Sequence, residues 1–188
     1  MLPSEIILAS KSPRRAELLK KHGVFFRVCV SDAGELKTHE IPALLPEINA
    51  ELKCAEVAER HPDKVVVGAD TVILFDNTIL GKPSDEEDAI RMLQTLSGKK
   101  HQVITGCAVI CLNKKFHHTF SVVSEVIFKD LNEKQIRDYI NKVNVLDKAG
   151  AYAIQEYGDE IIESFSGAID NIIGLPVEEL SAVLAGIR

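Results

Sequence analysis

Apolar runs and amphipathic segments alternate along the chain, and this alternation predicts both strands and helices. The segments predicted as strands are residues 5–10, 24–30, 64–75, 101–112 and 119–128, with a further strand at the end of residues 150–165. Helices are predicted to begin at Pro13, near Leu44, after Ser84 or Asp85, at Asn132 and at Pro176. A polar stretch at residues 113–118, between two predicted strands, favours an antiparallel hairpin. The mixture indicates an α/β or α+β fold with a mixed sheet.

Local signals mark several element ends. Ser12 stands directly before Pro13, which places it as the N-cap of the first helix, and Gly23 is a stop signal for that helix. Asp76–Asn77 follows a long apolar run and predicts a turn, whereas residues 31–40 are polar and predicted to form a loop. Since no repeat or linker interrupts the 188 residues, we expect one domain over residues 1–188.

Composition excludes several function classes. The chain has 28 acidic and 22 basic residues, so its net charge of −6 offers no basic excess to bind nucleic-acid phosphates. No apolar run reaches the roughly 18 residues of a membrane span, and the first residues lack a signal-peptide pattern. We therefore expect a cytoplasmic protein with neither a membrane nor a nucleic-acid partner. The four cysteines have no metal-site spacing and read as buried free thiols, with Cys107 and Cys111 on one strand face.

Two hydroxyls and two arginines lie where the first strand ends and the first helix begins. Ser10 and Ser12 offer hydroxyl donors, and Arg14 and Arg15 offer planar guanidinium groups that match phosphate oxygens. Because a helix N-terminus also attracts anions, this junction is a candidate triphosphate site. The alternative is that Ser12 only caps the helix and the arginines form a solvated face.

A second candidate group begins at Asp70, which interrupts an apolar strand after Gly68. A carboxylate there needs a cation, and Lys82 follows across the predicted turn. A carboxylate for a divalent ion and an ammonium group for phosphate suit phosphate chemistry, although a structural ion pair is the alternative. Taken alone, Glu35 and Lys53 read as solvated charges.

A glutamine and a pair of adjacent histidines are further candidate functional residues. Gln155 follows an apolar turn and is either a reader of a base edge or a surface amide. His117 and His118 are adjacent, so their side chains point apart and do not suggest a metal pair.

Six sequence blocks occur in the order found in a known family. The chain closely resembles the Maf family of nucleoside triphosphate pyrophosphatases, also called septum-formation-inhibitor-like proteins, over essentially its whole length. The blocks are LASKSPRRAELL near the N-terminus, GADTVI at 68–73, GKP at 81–83, LSGKKHQVITG at 96–106, DKAGAYAIQ at 147–155 and GLP at 174–176. The resemblance implies a fold like that of the inosine-triphosphate pyrophosphatases: a two-lobed mixed sheet with flanking helices around a deep cleft.

The resemblance also implies an activity and a set of site residues. Family members hydrolyse the α–β phosphoanhydride of a nucleoside triphosphate with a divalent cation, Mg²⁺ or Mn²⁺, and are often homodimers. Asp70, Glu35 and Lys82 match catalytic positions, and Asp70 and Glu35 also match the metal-binding carboxylates. The positions that match substrate-binding residues are Ser10, Ser12, Arg14, Arg15, Lys53 and Gln155.

The substrate branch follows from two blocks. SPRR and AGAYAIQ resemble the branch that takes dTTP, UTP and modified pyrimidine triphosphates, rather than the branch that takes 7-methyl-GTP. Two positions depart from the family pattern, because Gly34 replaces an acidic residue before Glu35 and Glu156 replaces a common glycine after Gln155. The alternative functions are a nucleotide-binding regulator of septum formation or cell division with little catalysis, and a 7-methyl-GTP pyrophosphatase.

Overall fold

A computed structural model describes Pro3 and residues 5–187. The strands of this part of the chain are β1 (Ile6–Leu8), β2 (Phe26–Val28), β3 (Val65–Phe75), β4 (Thr78–Leu80), β5 (Lys100–Cys111), β6 (Phe116–Phe128) and β7 (Ile162–Ser166). The helices are α1 (Pro13–Lys21), α2 (Leu45–Arg60), α3 (Glu86–Leu96), α4 (Glu133–Lys142), α5 (Gly158–Ile161), α6 (Ile169–Ile173) and α7 (Val177–Ala185). Short 3₁₀ turns at Pro42–Leu44, Leu112–Lys114 and Ala149–Ala151 connect some of them.

The strands form one mixed sheet, in the order β2-β1-β3-β5-β6-β7, with β4 paired to β3. Strand β1 is parallel to both of its neighbours, so that Ile7 stands opposite Arg27 on β2 and Val66 on β3. Strand β4 is antiparallel to β3, and β7 is antiparallel to β6. The expected mixed α/β fold, with helices flanking a mixed sheet, is therefore confirmed.

The chain divides into two compact units. The first comprises the described residues of 1–71, 105–122 and 174–188, and the second comprises residues 72–104 and 123–173. The boundaries fall inside long strands, since β3, β5 and β6 each contribute residues to both units. Among the described residues, no helix combines the length and the hydropathy that crossing a membrane requires.

In the first unit, α2 packs directly on the sheet. Two glycines make this approach possible: a Cβ on Gly68 would lie 2.2 Å from the carbonyl oxygen of Ala50, and one on Gly106 would lie 2.2 Å from the backbone nitrogen of Glu47. The core of this layer consists of Ile7, Ala9, Ala50, Cys54, Val57, Ala58, Val66, Ala108 and Ile110. The close contact fixes the height of α2 above β3, the strand that carries Asp70.

The second unit has its own core, built between α3, α4 and the adjoining strands. Leu93, Phe128, Ile136 and Tyr139 are among its fully buried side chains. His101 is buried there too, with Nε2 2.8 Å from the Tyr152 hydroxyl and its ring edge-on to Phe128 at 5.0 Å. The unit therefore encloses a polar contact within an aromatic cluster.

Most predicted element ends agree with the structure, with differences of a few residues. Ser12 takes the predicted N-cap position of α1, but its side chain forms no capping hydrogen bond. Asp85 caps α3 by accepting from the backbone N–H of Asp88, and Asn132 caps α4 in a capping box with Gln135. Gly23 follows the end of α1 with a φ of 69°, as its role as a stop signal requires.

The hairpin regions differ more from the prediction. Asp76 and Asn77 form the expected turn with φ values of 47° and 59°, but the three-residue strand β4 behind it was too short to predict. The predicted loop at residues 113–118 is shorter than expected, because the chain turns at Leu112–Lys114 with Lys115 left-handed and β6 begins at Phe116. Strand β2 covers Phe26–Val28 rather than residues 24–30.

Candidate active site

The serine and arginine side chains at the end of β1 form a connected hydrogen-bond network. Ser10 Oγ accepts from the backbone N–H of Ser12 at 3.2 Å and from Arg15 Nη1 at 3.0 Å. Arg15 Nη2 donates to Thr71 Oγ1 at 3.0 Å, and Arg15 Nε donates to the carbonyl oxygen of Gly174 at 2.7 Å. One guanidinium group therefore joins the strand end, β3 and the segment before α7.

All of these acceptors are neutral, and this affects the charge of Arg15. Burial of the guanidinium group lowers the pKa of Arg15 from its ordinary value, while the negative charge of Asp70 opposes this shift. Since an arginine stays protonated in proteins, the group keeps a positive charge in an enclosed place. Thr71 Oγ1 also lies 3.0 Å from Thr105 Oγ1, so the network extends to β5.

A second cluster joins two carboxylates through one lysine. Lys53, on α2, donates from Nζ to Asp70 Oδ1 at 2.9 Å and to Glu35 Oε1 at 3.0 Å. The Asp70 side chain is 15% exposed and the Glu35 side chain 57% exposed. Lys53 itself is 8% exposed, so the interpretation of this residue as a solvated charge is wrong. The Lys53 ammonium group on α2 therefore binds one carboxylate from strand β3 and one from the loop that carries Glu35.

The carboxylate pair has the chemistry to hold a hard divalent cation. Mg²⁺ is commonly bound by one or two carboxylates, with substrate phosphates and water completing its coordination. Glu35 and Asp70 supply such a pair, already drawn together by their shared hydrogen bonds to Lys53. Among the described residues there is no group of three or more histidine, cysteine, aspartate or glutamate side chains that could hold a metal by themselves. The two carboxylates alone fit a divalent cation whose other ligands would be phosphate and water.

Asn49 belongs to this cluster, although the sequence did not single it out. Its Nδ2 donates to Asp70 Oδ2 at 3.2 Å, and its amide also pairs with the backbone of Leu36. Asn49 precedes Lys53 by four residues, and this spacing places both side chains on the same face of α2. The four-residue spacing between Asn49 and Lys53 could have indicated Asn49 from the sequence, but only if Lys53 were already known to face the site.

Two predicted site residues, Lys82 and Gln155, lie in the second unit and are exposed. The GKP and AGA segments that contain or adjoin them are in contact, since the N–H of Gly150 donates to the carbonyl oxygen of Gly81 at 2.9 Å. Glu156, the residue that departs from the family pattern, lies 3.2 Å from the buried Nζ of Lys148. The departure therefore creates an ion pair beside Gln155.

Thr71, Thr105 and Gly174 are further residues that the sequence did not assign to the site. Each lies within a quoted sequence block or directly beside an assigned residue, so position along the chain was the only hint. Gly174 has a φ of 126°, and a Cβ there would come within 3.3 Å of Thr71 Oγ1. Its backbone conformation thus lets its carbonyl reach Arg15.

Comparisons with known proteins identify the family of this chain. Residues 5–187 match the family model of the Maf-like proteins. The chain belongs to this family. A protein of Akkermansia muciniphila named dTTP/UTP pyrophosphatase is 47% identical, with 100% of this chain and 98% of that protein covered. A Clostridioides difficile protein of the same name is 45% identical over 95% of this chain and 93% of its own length.

A solved structure supports the fold of this Maf chain. The Staphylococcus aureus Ham1 protein is 17% identical, with a TM-score of 0.56, and the match covers 98% of this chain and 100% of that one. At this level of identity the likeness shows a shared fold alone. The family membership rests on the sequence matches.

Proposed function

We propose that this Maf protein hydrolyses the α–β phosphoanhydride of dTTP and UTP to give the nucleoside monophosphate and pyrophosphate. The relatives that are 45% and 47% identical carry the name dTTP/UTP pyrophosphatase, and both are covered over nearly their full length. The proposal extends that activity to this chain.

The observation that carries the proposal is the Glu35–Lys53–Asp70 cluster beside the arginine network. Asp70 bonds Lys53 while Thr71 bonds Arg15. The two groups are close enough for the negative charge of Asp70 to act on the Arg15 guanidinium group. A pyrophosphatase needs both parts: cationic groups for the phosphates and a carboxylate near the phosphorus that is attacked.

In the proposed reaction, Arg14, Arg15, Lys53 and Lys82 offset the negative charge of the triphosphate, and the hydroxyls of Ser10 and Ser12 donate to phosphate oxygens. A carboxylate, with Asp70 the first choice, accepts a proton from water as the water oxygen bonds to the α-phosphorus. The bond from that phosphorus to the bridging oxygen breaks, and pyrophosphate leaves with the electron pair. Gln155 is proposed to select the base through hydrogen bonds from its amide.

Glu35 and Asp70 are proposed to hold a divalent cation, Mg²⁺ or Mn²⁺. When bound, such an ion neutralises phosphate charge and polarises the bond that breaks. A homodimer is proposed because members of this family are often homodimers. A cytoplasmic location is proposed from the composition.

Pyrophosphate release tests the proposal. The wild type is assayed on dTTP, UTP, CTP, 7-methyl-GTP, ITP and ATP with Mg²⁺ or Mn²⁺, beside Asp70→Asn and the exposed control Asp63→Asn. Turnover of dTTP and UTP by wild type and control, lost in Asp70→Asn, supports the reaction and the substrate. Turnover of 7-methyl-GTP instead of dTTP and UTP would contradict the proposed substrate class. No turnover of any triphosphate would contradict the proposed enzymatic activity and favour the alternative function as a nucleotide-binding regulator.

A further inference from the structure

Asn49 is the most enclosed polar side chain at the carboxylate cluster. It is 3% exposed and lies on α2, between the loop that carries Glu35 and the strand that carries Asp70. A side-chain amide in such a place costs free energy unless its polar atoms have partners. The partners of Asn49 therefore indicate what it does.

The amide makes a two-bond pairing with the backbone of one loop residue. Asn49 Oδ1 accepts from the N–H of Leu36 at 2.8 Å, and Asn49 Nδ2 donates to the carbonyl oxygen of Leu36 at 3.0 Å. Leu36 directly follows Glu35, so this pairing fixes the backbone next to the carboxylate. Another tether of the loop lies four residues earlier, where the N–H of Asp32 donates to Glu56 at 3.3 Å.

The same amide also bonds the second carboxylate. Nδ2 donates to Asp70 Oδ2 at 3.2 Å, whereas Lys53 occupies Asp70 Oδ1. An asparagine amide has two N–H groups, and both are engaged here. The reversed amide would set its oxygen against Asp70 and the carbonyl of Leu36, so the bonds allow only one orientation. Aspartate or leucine at this position lacks the donors that asparagine supplies.

From these contacts we infer that Asn49 is a positioning residue, which holds Glu35 and Asp70 at the spacing that hydrolysis requires. Lys53 attracts both carboxylates, but an ammonium group is a point charge that does not fix direction. The Asn49 amide supplies direction, because it binds the backbone of Leu36, next to Glu35, on one side and one Asp70 oxygen on the other. The inference rests on the proposed pyrophosphatase function, since it assigns Asn49 a part in that reaction.

The test compares Asn49→Leu and Asn49→Asp with the control Asn171→Asp. Asn171 is a buried asparagine of the second unit whose Nδ2 donates to Val103 and Ser124, so its variant loses similar bonds away from the carboxylates. The first readout is hydrogen exchange at the Leu36 amide, measured without nucleotide or metal. We expect exchange about tenfold faster or more in Asn49→Leu, the equivalent of about 1.4 kcal/mol, and no change in Asn171→Asp.

The second readout is the split between kcat and KM for dTTP. Misplacement of reacting groups costs rate, so we expect kcat to fall by about 10- to 100-fold in both Asn49 variants while KM changes by less than about threefold. Asn49→Asp provides the second variant if Asn49→Leu folds poorly. A kcat within twofold of the wild type, an unchanged Leu36 exchange rate, or an equal loss of kcat in Asn171→Asp would overturn the inference.

The two readouts separate this inference from the proposed function. If the wild type releases no pyrophosphate from any triphosphate, the proposed function fails, and with it the assigned role in hydrolysis. If the wild type is active but the Asn49 variants keep its kcat, the positioning role alone fails.

Discussion

At the scale of single residues, Arg15 contributes to the stability of the fold. Arg15 uses three guanidinium nitrogens on Ser10, Thr71 and Gly174. Lysine has no planar fork and cannot reach all three acceptors at once, so we expect Arg15→Lys to lower the free energy of unfolding by about 1–3 kcal/mol. Urea unfolding at neutral pH measures this change.

Arg91→Lys is the matched comparison, because it makes the same change at an arginine that is exposed on α3. We expect this variant to keep the unfolding free energy within about 0.5 kcal/mol of the wild type. Equal destabilisation by the two substitutions would contradict the structural role of Arg15.

His101 gives a prediction about acid stability. Burial lowers the pKa of His101 from 6.5 to about 4, so the folded protein keeps this ring neutral where the unfolded chain protonates it. The resulting stabilisation is complete above pH 6.5 and is lost as the pH falls from 6.5 towards 4. Between pH 7 and 5 we expect the wild type to lose about 2 kcal/mol more than His101→Gln, at about 1.4 kcal/mol per pKa unit.

The exposed His118 supplies the control for that measurement. His118→Gln removes one histidine as His101→Gln does, but from the surface of β6. Urea unfolding at pH 7, 6 and 5 should give parallel losses for the wild type and His118→Gln, with a shallower loss for His101→Gln. Identical pH dependence in all three proteins would show that the buried ring does not titrate as described.

Candidate site residues could be recognised from the sequence where a polar or charged residue stood at an unexpected position. Asp70 interrupts an apolar strand, and the serines and arginines follow a strand end, so both groups stood out. Lys53 and Asn49 did not, because a lysine or asparagine on a helix is usually solvated. Their roles depend on which face of α2 meets the sheet, and that is a tertiary property.

At the scale of elements, the contact between α2 and the sheet decides where the site residues lie. A Cβ at Gly106 would lie 2.2–2.4 Å from the backbone of Pro46 and Glu47, atoms that cannot rotate away. We expect Gly106→Ala to cost about 3 kcal/mol of unfolding free energy, since α2 must move off β5. Gly34→Ala is the control, because a Cβ there meets nothing within 4 Å and should change stability by at most about 0.5 kcal/mol.

The same substitution should impair the site at a distance. Asn49 and Lys53 lie on the helix that Gly106→Ala displaces, so the exchange rate of the Leu36 amide should rise along with the loss of stability. A Gly106→Ala protein as stable as the wild type would contradict the close approach of α2.

Elements with strong local signals were predictable, and short elements were not. The capped helices α3 and α4 and the long apolar β3 each combine a periodic pattern with clear end signals. Strand β4 has three residues and exists because the turn at Asp76–Asn77 folds it onto β3. The order of strands in the sheet depends on pairings between distant segments, which local patterns do not encode.

At the scale of the whole molecule, the cysteines and the tyrosines lie in different units and can report on each unit separately. All four cysteines, of which Cys54, Cys107 and Cys111 are buried, belong to the first unit, and all three tyrosines belong to the second. Burial raises the pKa of Cys54 and of Cys107 to about 12, so these thiols resist alkylation while the protein is folded. Thiol labelling therefore reports on the first unit, and tyrosine fluorescence reports on the second.

These probes test whether the molecule unfolds as one. Strands β3, β5 and β6 are each continuous from one unit into the other. We therefore expect the urea midpoint for labelling of the buried thiols to coincide with the midpoint for tyrosine fluorescence, with Cys29 modified first because it is partly exposed. Midpoints separated by more than experimental error would show that the units unfold independently despite the strands they share. The measurements on Asn49, in the first unit, and on His101, in the second, would then report on separate unfolding transitions.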